Sequence, residues 1–282
     1  VALPALTTYN LTYNDFYEVP RFDIIAPAMT SINMTGNNLS RIGVSAQTQL
    51  DRLQSTIQTV TFNGCFSESV DLDLSAYTNL RTLNLDSYYS SYSRRYLSGT
   101  VTPKVAPSIV SYNLSHQGYS RLSKSVMDAP NLVTLNITAN NIVAAREDGT
   151  TNDVDIDFAS NDLQNFYSYS NDHAIVPANG NTVNSIVNYY HRYSTPTGIG
   201  TAGSRSVSGK FNGATALTTI NLYGTSAQGD IGSDFSNLPS LRTLEVRWSW
   251  MGGSFNANSF ANTTRLQSLL LAGSYYNNSN FF

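Results

Sequence analysis

Short alternations of apolar and polar residues recur along this chain. Leu132-Val-Thr-Leu135-Asn-Ile137-Thr-Ala-Asn140-Asn-Ile142 reads LxxLxLxxNxL, and the same frame occurs at Met29-Thr-Ser-Ile32-Asn-Met34-Thr-Gly-Asn37-Asn-Leu39. Within each frame the period-two part predicts a short strand, with positions four and six turned inward and three, five and seven turned outward. The ninth position predicts a turn residue whose side chain bonds nearby backbone groups. Further copies are carried by Ile57, Val60, Phe62 and Cys65; Leu80, Leu83 and Leu85; Ile109, Tyr112 and Leu114; Leu217, Ile220 and Leu222; Leu241, Leu244 and Val246; and Leu266, Leu269 and Leu271. Leu6, Tyr9, Leu11 and Asn14 open the series, while Ile156, Phe158, Asn161 and Leu163, then Val183 and Ile186, are weaker copies.

Frames starting at residues 6, 29, 57, 80, 109, 132, 153, 183, 217, 241 and 266 have a mean spacing of 26 residues. That lies within the range of about 20–29 residues of leucine-rich repeats, and over nearly its whole length the chain resembles that family. The resemblance implies a single α/β repeat solenoid over residues 1–282, of about eleven repeats, with a parallel β-sheet on a concave face and a mostly irregular or 3₁₀ convex side. It also implies Asn or Cys at position nine, matched by Asn14, Asn37, Cys65, Asn140 and Asn161 and departed from at Tyr88, Gln117, His191, Thr225, Ser249 and Ser274. Leu97-Ser-Gly99-Thr-Val101 and Gly229-Asp-Ile231 partly resemble the LxGxIPxxLxxL variant, with Gly232 where proline is expected. Ala46–Leu53 predicts one or two helical turns, and 164–182 and 194–213 read as surface loops that lengthen the seventh and eighth repeats.

Composition narrows the function classes. Only 12% of the 282 residues are charged and the net charge is -3, which argues against a nucleic-acid binder. Ser (36), Thr (28) and Asn (30) make up a third of the chain, yet 18 tyrosines and 41% hydrophobic residues argue against disorder. Cys65 has no internal disulfide partner, no apolar run is long enough to span a membrane, and the first residues lack the pattern of a signal peptide.

Mapping that composition onto the frames gives it an address. Position three is a hydroxyl residue in ten of eleven frames, including Thr8, Ser31, Thr82, Ser111, Thr134 and Thr219. Position five is asparagine in six, at Asn10, Asn33, Asn84, Asn113, Asn136 and Asn221. Stacked about 4.8 Å apart, these side chains would form a hydroxyl ladder beside an amide ladder, either holding the solenoid together or offering a nearly uncharged face to a protein or glycan. Four of the seven Asn-x-Ser/Thr sequons arise from this pattern, so glycans there would crowd one face. That speaks against passage through a glycosylating secretory route.

Aromatic and basic residues cluster in three places: Tyr88, Tyr89, Tyr92, Arg94, Arg95 and Tyr96; Tyr189, Tyr190, Arg192 and Tyr193; and Arg247, Trp248 and Trp250. Such mixtures suit interfaces, although they equally suit loops covering a solenoid. Gly198-Ile-Gly-Thr-Ala-Gly203 satisfies GxGxxG but lacks the flanking strand and helix of a nucleotide site. Asp155 and Asp157 should face outward side by side, as a calcium candidate or a solvated acidic spot. His116, His173 and His191 show no zinc or Ser-His-Asp spacing, Cys65 reads as a buried turn residue, and no cofactor is expected.

Neither end carries a recognisable cap, so the expectation is a module whose ends are closed by flanking sequence or neighbouring subunits. The Asn/Ser/Thr/Tyr-rich, lysine-poor texture resembles phage virion proteins such as tail, fibre or baseplate components. Together these imply a non-enzymatic structural and protein-interaction module of a virion or extracellular assembly. A cell-surface adhesin binding host protein or glycan is the alternative, followed by a glycan-active enzyme on a β-helix.

Overall fold

Each apolar–polar alternation is too short to fold alone, so it gains stability by pairing with the next coil of chain and burying its inward side chains. The computed structural model describes residues 2–39, 45–53, 56–66, 72–87, 101–138, 140, 142, 155–156, 160, 162–169, 176–177, 186–192, 207–209, 211–225, 227–253 and 255–274. It is a parallel-strand β-solenoid with few, short helices. One eleven-stranded sheet runs through it in chain order. Its strands are β1 (Thr8–Asn10), β2 (Ser31–Asn33), β3 (Thr59–Thr61), β4 (Thr82–Asn84), β5 (Ser111–Asn113) and β6 (Thr134–Asn136), then β7 (Asn165–Tyr169), β8 (Asn188–Arg192), β9 (Thr219–Tyr223), β10 (Thr243–Ser249) and β11 (Ser268–Ser274).

Nine of these strands begin at position three of their expected frame. The seventh and eighth do not. The sheet takes Asn165–Tyr169 and Asn188–Arg192 in place of 155–157 and 185–187, so part of the stretch expected as a 164–182 loop is strand. Phe166 and Tyr189 are the reason: both are fully buried and stack at 5.6 Å, whereas Asp155–Ile156 pairs with Val176–Pro177 in a separate small sheet. In the corrected register, strands start 23, 28, 23, 29, 23, 31, 23, 31, 24 and 25 residues apart. Short and long spacings therefore alternate through the first nine strands, a rhythm that the misplaced frames conceal.

The inward row Ile32, Val60, Leu83, Tyr112, Leu135, Phe166, Tyr189, Ile220 and Leu244 is buried from β2 to β10. Each such side chain contributes about 1.5–3 kcal/mol by leaving water. At the first strand Tyr9 packs edge-on against Phe22 at 4.6 Å, Phe22 belonging to the helix Phe22–Ile25. A helix therefore covers this end although no pattern announced it, and the helical turns expected near Ala46 run over Ala46–Asp51. On β11, Leu269 and Leu270 are exposed.

Two positions close the turns after many of the strands. Position eight is left-handed at Tyr13, Gly36, Gly64, His116, Gly224, Trp248 and Gly273. Glycine adopts this backbone freely, whereas the three bulky residues pay steric strain for it. Position nine then bonds backward. Asn37 Nδ2 donates to the carbonyls of Leu11 and Met34, both at 2.6 Å, and its Oδ1 accepts from Phe16 N at 3.1 Å. Asn140 repeats this with Leu114 (2.9 Å), Ile137 (2.8 Å) and Tyr119 N (3.0 Å). Cys65 Sγ donates to the Met34 carbonyl at 2.9 Å, and Gln117 Nε2 donates to the Leu85 carbonyl. These side chains donate to position-six carbonyls of the preceding coil, buried groups that need hydrogen-bond partners. Asn14 is different: exposed, it bonds only the nearby Thr12 carbonyl.

Candidate recognition face

The sheet's outward positions form two rows in strict register. One runs Thr8, Ser31, Thr59, Thr82, Ser111, Thr134, Asn165, Asn188, Thr219, Thr243 and Ser268. The other runs Asn10, Asn33, Thr61, Asn84, Asn113, Asn136, Tyr167, Tyr190, Asn221, Glu245 and Leu270. All twelve expected ladder residues lie in these rows. Across β1–β6 no outward residue of these rows is charged or aromatic.

The asparagines act mainly along their own strand. Asn33 Oδ1 accepts from Thr35 N (3.1 Å) and Thr35 Oγ1 (2.8 Å), and Asn113 Oδ1 accepts from Ser115 N (3.1 Å) and Ser115 Oγ (2.9 Å). Asn136 Oδ1 takes Thr138 N at 3.1 Å. These Asx turns end the strands, and they explain why a hydroxyl residue so often stands two residues after the asparagine. The stacked-amide picture holds in one place, where Asn188 Nδ2 donates to Asn165 Oδ1 at 2.8 Å. Elsewhere Asn84 and Asn165 reach the hydroxyls of Thr61 and Thr134 at 3.3 Å.

From β7 to β10 the face changes character. Tyr167 and Tyr190 stack with centroids 5.2 Å apart and planes 16° apart. Burial, then the neighbouring Tyr190 phenol, raises the Tyr167 hydroxyl above its ordinary pKa. Two residues along, the Arg247 guanidinium lies over the Tyr223 ring, 4.5 Å from its centroid. Glu245 Oε1 accepts from Arg247 Nε at 2.8 Å and from Nη2. Glu245 Oε2 accepts from Asn221 Nδ2 at 2.5 Å, and Asn221 Oδ1 accepts from Tyr223 N at 3.2 Å. Asn221 is consequently buried rather than displayed.

The expected aromatic clusters divide differently from their order in sequence. Tyr189 is a core residue, packed between Phe166 and Phe211, whereas its neighbour Tyr190 is on the open face. Strand alternation separates them, and misplacing the frame by three residues hid this. Trp248 occupies a left-handed turn position, 47% exposed, with its ring over Gly273; Trp250 is half-buried, its backbone N–H donating to the Ala227 carbonyl at 3.1 Å. Arg192 is in β8 by its backbone. Tyr88, Tyr89, Tyr92, Arg94, Arg95, Tyr96, Tyr193, Asp157 and the GxGxxG segment at 198–203 lie outside the described residues.

Asp155 belongs to the small sheet and not to the main face, while Asp157 lies outside the described residues. Among the described residues no group of three or more His, Cys, Asp or Glu converges as a metal site, and no helix is long and apolar enough to cross a membrane. One contact that sequence spacing missed is His116 Nδ1 to Asp86 Oδ1 at 3.0 Å. Adjacent coils bring the two together across 30 residues. The nearby Ser87 hydroxyl bonds the His116 backbone carbonyl, not the ring, so the three are not arranged as nucleophile and base. The chain matches no protein-family model and no curated protein.

Proposed function

We propose that the protein is a leucine-rich-repeat-like, non-enzymatic module of about eleven repeats that recognises a partner through its open, concave sheet face, within a virion or extracellular assembly of the phage tail, fibre or baseplate type. The observation that carries the reading is the face itself. Its outward rows keep register over eleven strands, stay uncharged through β1–β6, and then present a preordered aromatic and Arg/Glu network on β7–β10. A broad, rigid, hydrogen-bonding surface suits docking of an extended partner, because its side chains lose little freedom on binding. The position-nine bonds to the preceding coil, made by Asn37, Cys65 and Asn140, support the leucine-rich-repeat-like assignment.

Immunogold labelling and cross-linking mass spectrometry of particles from the source tests the placement. Antibody to this chain should decorate particles, with cross-links from a neighbouring protein to residues of the open face. Recovery of the chain only as a free cytosolic species would defeat it.

A further inference from the structure

The β7–β10 end of the open face contrasts with the rest of the sheet. Where β1–β6 and β9 carry Asn or Thr in the second outward row, β7 and β8 carry the stacked Tyr167 and Tyr190. Beside them Asn221, Glu245, Arg247 and Tyr223 form a closed circuit, completed by the Tyr223 backbone N–H donating to Asn221 Oδ1. Arg247 retains about a third of its side-chain exposure and uses Nε and Nη2 on Glu245, which leaves Nη1 outside the circuit. The first outward row adds the amides of Asn165 and Asn188 and the hydroxyls of Thr219 and Thr243.

We propose that this end of the face is a subsite for a neutral pyranose oligosaccharide. A pyranose has apolar C–H faces and polar hydroxyl edges, and the patch offers aromatic carbon edged by phenols, amides, hydroxyls and a planar guanidinium. Its apolar surface is centred on the tyrosine rings, with Thr and Asn beside them in the first outward row, and the exposed aliphatic Leu270 flanks it one strand on, next to Glu245. Glu245 neutralises Arg247, so the site attracts no net charge and selects by geometry. The circuit is assembled before any ligand arrives, which lowers the entropy cost of binding a flexible sugar chain. The proposal rests on reading the open face as a recognition surface.

The test is a binding titration of the full chain, by calorimetry and saturation-transfer NMR, against gluco-, galacto- and manno-configured tetrasaccharides. Uronate-bearing oligosaccharides and an acidic peptide form a second arm. At least one neutral tetrasaccharide should saturate, with affinity changing less than twofold between roughly 20 and 300 mM salt, because the sugar is uncharged and Glu245 balances Arg247 at the site. Arg247→Gln and Tyr190→Ala should each weaken it tenfold or more, while Thr82→Ala, at the uncharged end, should leave it unchanged. Tyr190→Phe keeps the ring and should retain most of the affinity if the tyrosine pair acts through its carbon surface, which guards against a loss caused by misfolding. Saturation by none of the neutral sugars overturns the proposal. So does preference for the acidic arm with steep salt dependence. If the sugars fail while Arg247→Gln still abolishes cross-linking to an assembly neighbour, the glycan subsite falls and the recognition face stands.

Discussion

Replacing Asn140 with alanine removes the most completely bonded position-nine side chain in the solenoid. Its amide is 1% exposed and donates to Leu114 and Ile137 while accepting from Tyr119 N, so truncation removes three buried hydrogen bonds. A hydrogen bond contributes about 0.5–1.5 kcal/mol net, so losing three implies a loss of about 1.5–4.5 kcal/mol. That is a large share of the roughly 5–15 kcal/mol that keeps a typical domain folded. Urea unfolding followed by far-ultraviolet circular dichroism measures it. Two companions calibrate the result. Asn14→Ala, at the equivalent but exposed place, should cost under about 0.5 kcal/mol, as surface substitutions do. Asn140→Cys should recover part of the loss, because Cys65 already makes the corresponding bond to the preceding coil through its thiol. If Asn140→Ala costs no more than Asn14→Ala, or if cysteine is no better than alanine, the turn side chains do not hold the coils together as argued.

Gly36→Ala should destabilise by about 1–2 kcal/mol, since the backbone there is left-handed at φ +74° and a Cβ would lie 2.6 Å from the Tyr13 ring; adding Tyr13→Ala should relieve the steric part only, as thermal melts of the single and double variants would record. Asn113→Ala combined with Asn136→Ala opens two Asx turns and should lower the melting temperature, by about 1 kcal/mol per turn, whereas an unchanged melt would mean the amides serve only the surface. Burial pushes the Cys65 thiol from 9.0 up to about 12, so iodoacetamide at pH 8 should label it only after denaturation. The same raised pKa means the thiol's contribution to stability is intact below pH 9, the unfolded value, and is lost as pH climbs from there toward 12; urea titrations across that range should fall for the native chain and less steeply for Cys65→Ala, the remaining fall coming from buried phenols such as Tyr77 and Tyr112, whose pKa burial also raises.

Local pattern alone determined the strand frames at nine of eleven places, the inward apolar row and the outward hydroxyl and amide positions. These follow from period-two alternation, which needs only neighbours in sequence. The position-nine assignments at Asn37, Cys65 and Asn140 were legible for the same reason, each standing three residues after the last inward position of its strand. Tertiary structure decided the seventh and eighth strands. Aspartates alternating with Ile156 and Phe158 imitate a strand, but Phe166 and Tyr189 stack between the coils and set the register, ten and three residues further on. Leu163 to Asn171 reads LxxFxSxxN and was the available signal, obscured because its inward positions hold Phe166 and Ser168 rather than leucine. The candidate site depended on the same shift. Only when β7 and β8 are set does Tyr190 come to the open face beside Tyr167 while Tyr189 turns inward, and only the longer strands β9 and β10 bring Tyr223 against Arg247. Sequence fixes which residues alternate. Which coil each alternation lies beside depends on how side chains far apart in the chain fill the space between coils, and that information is not local.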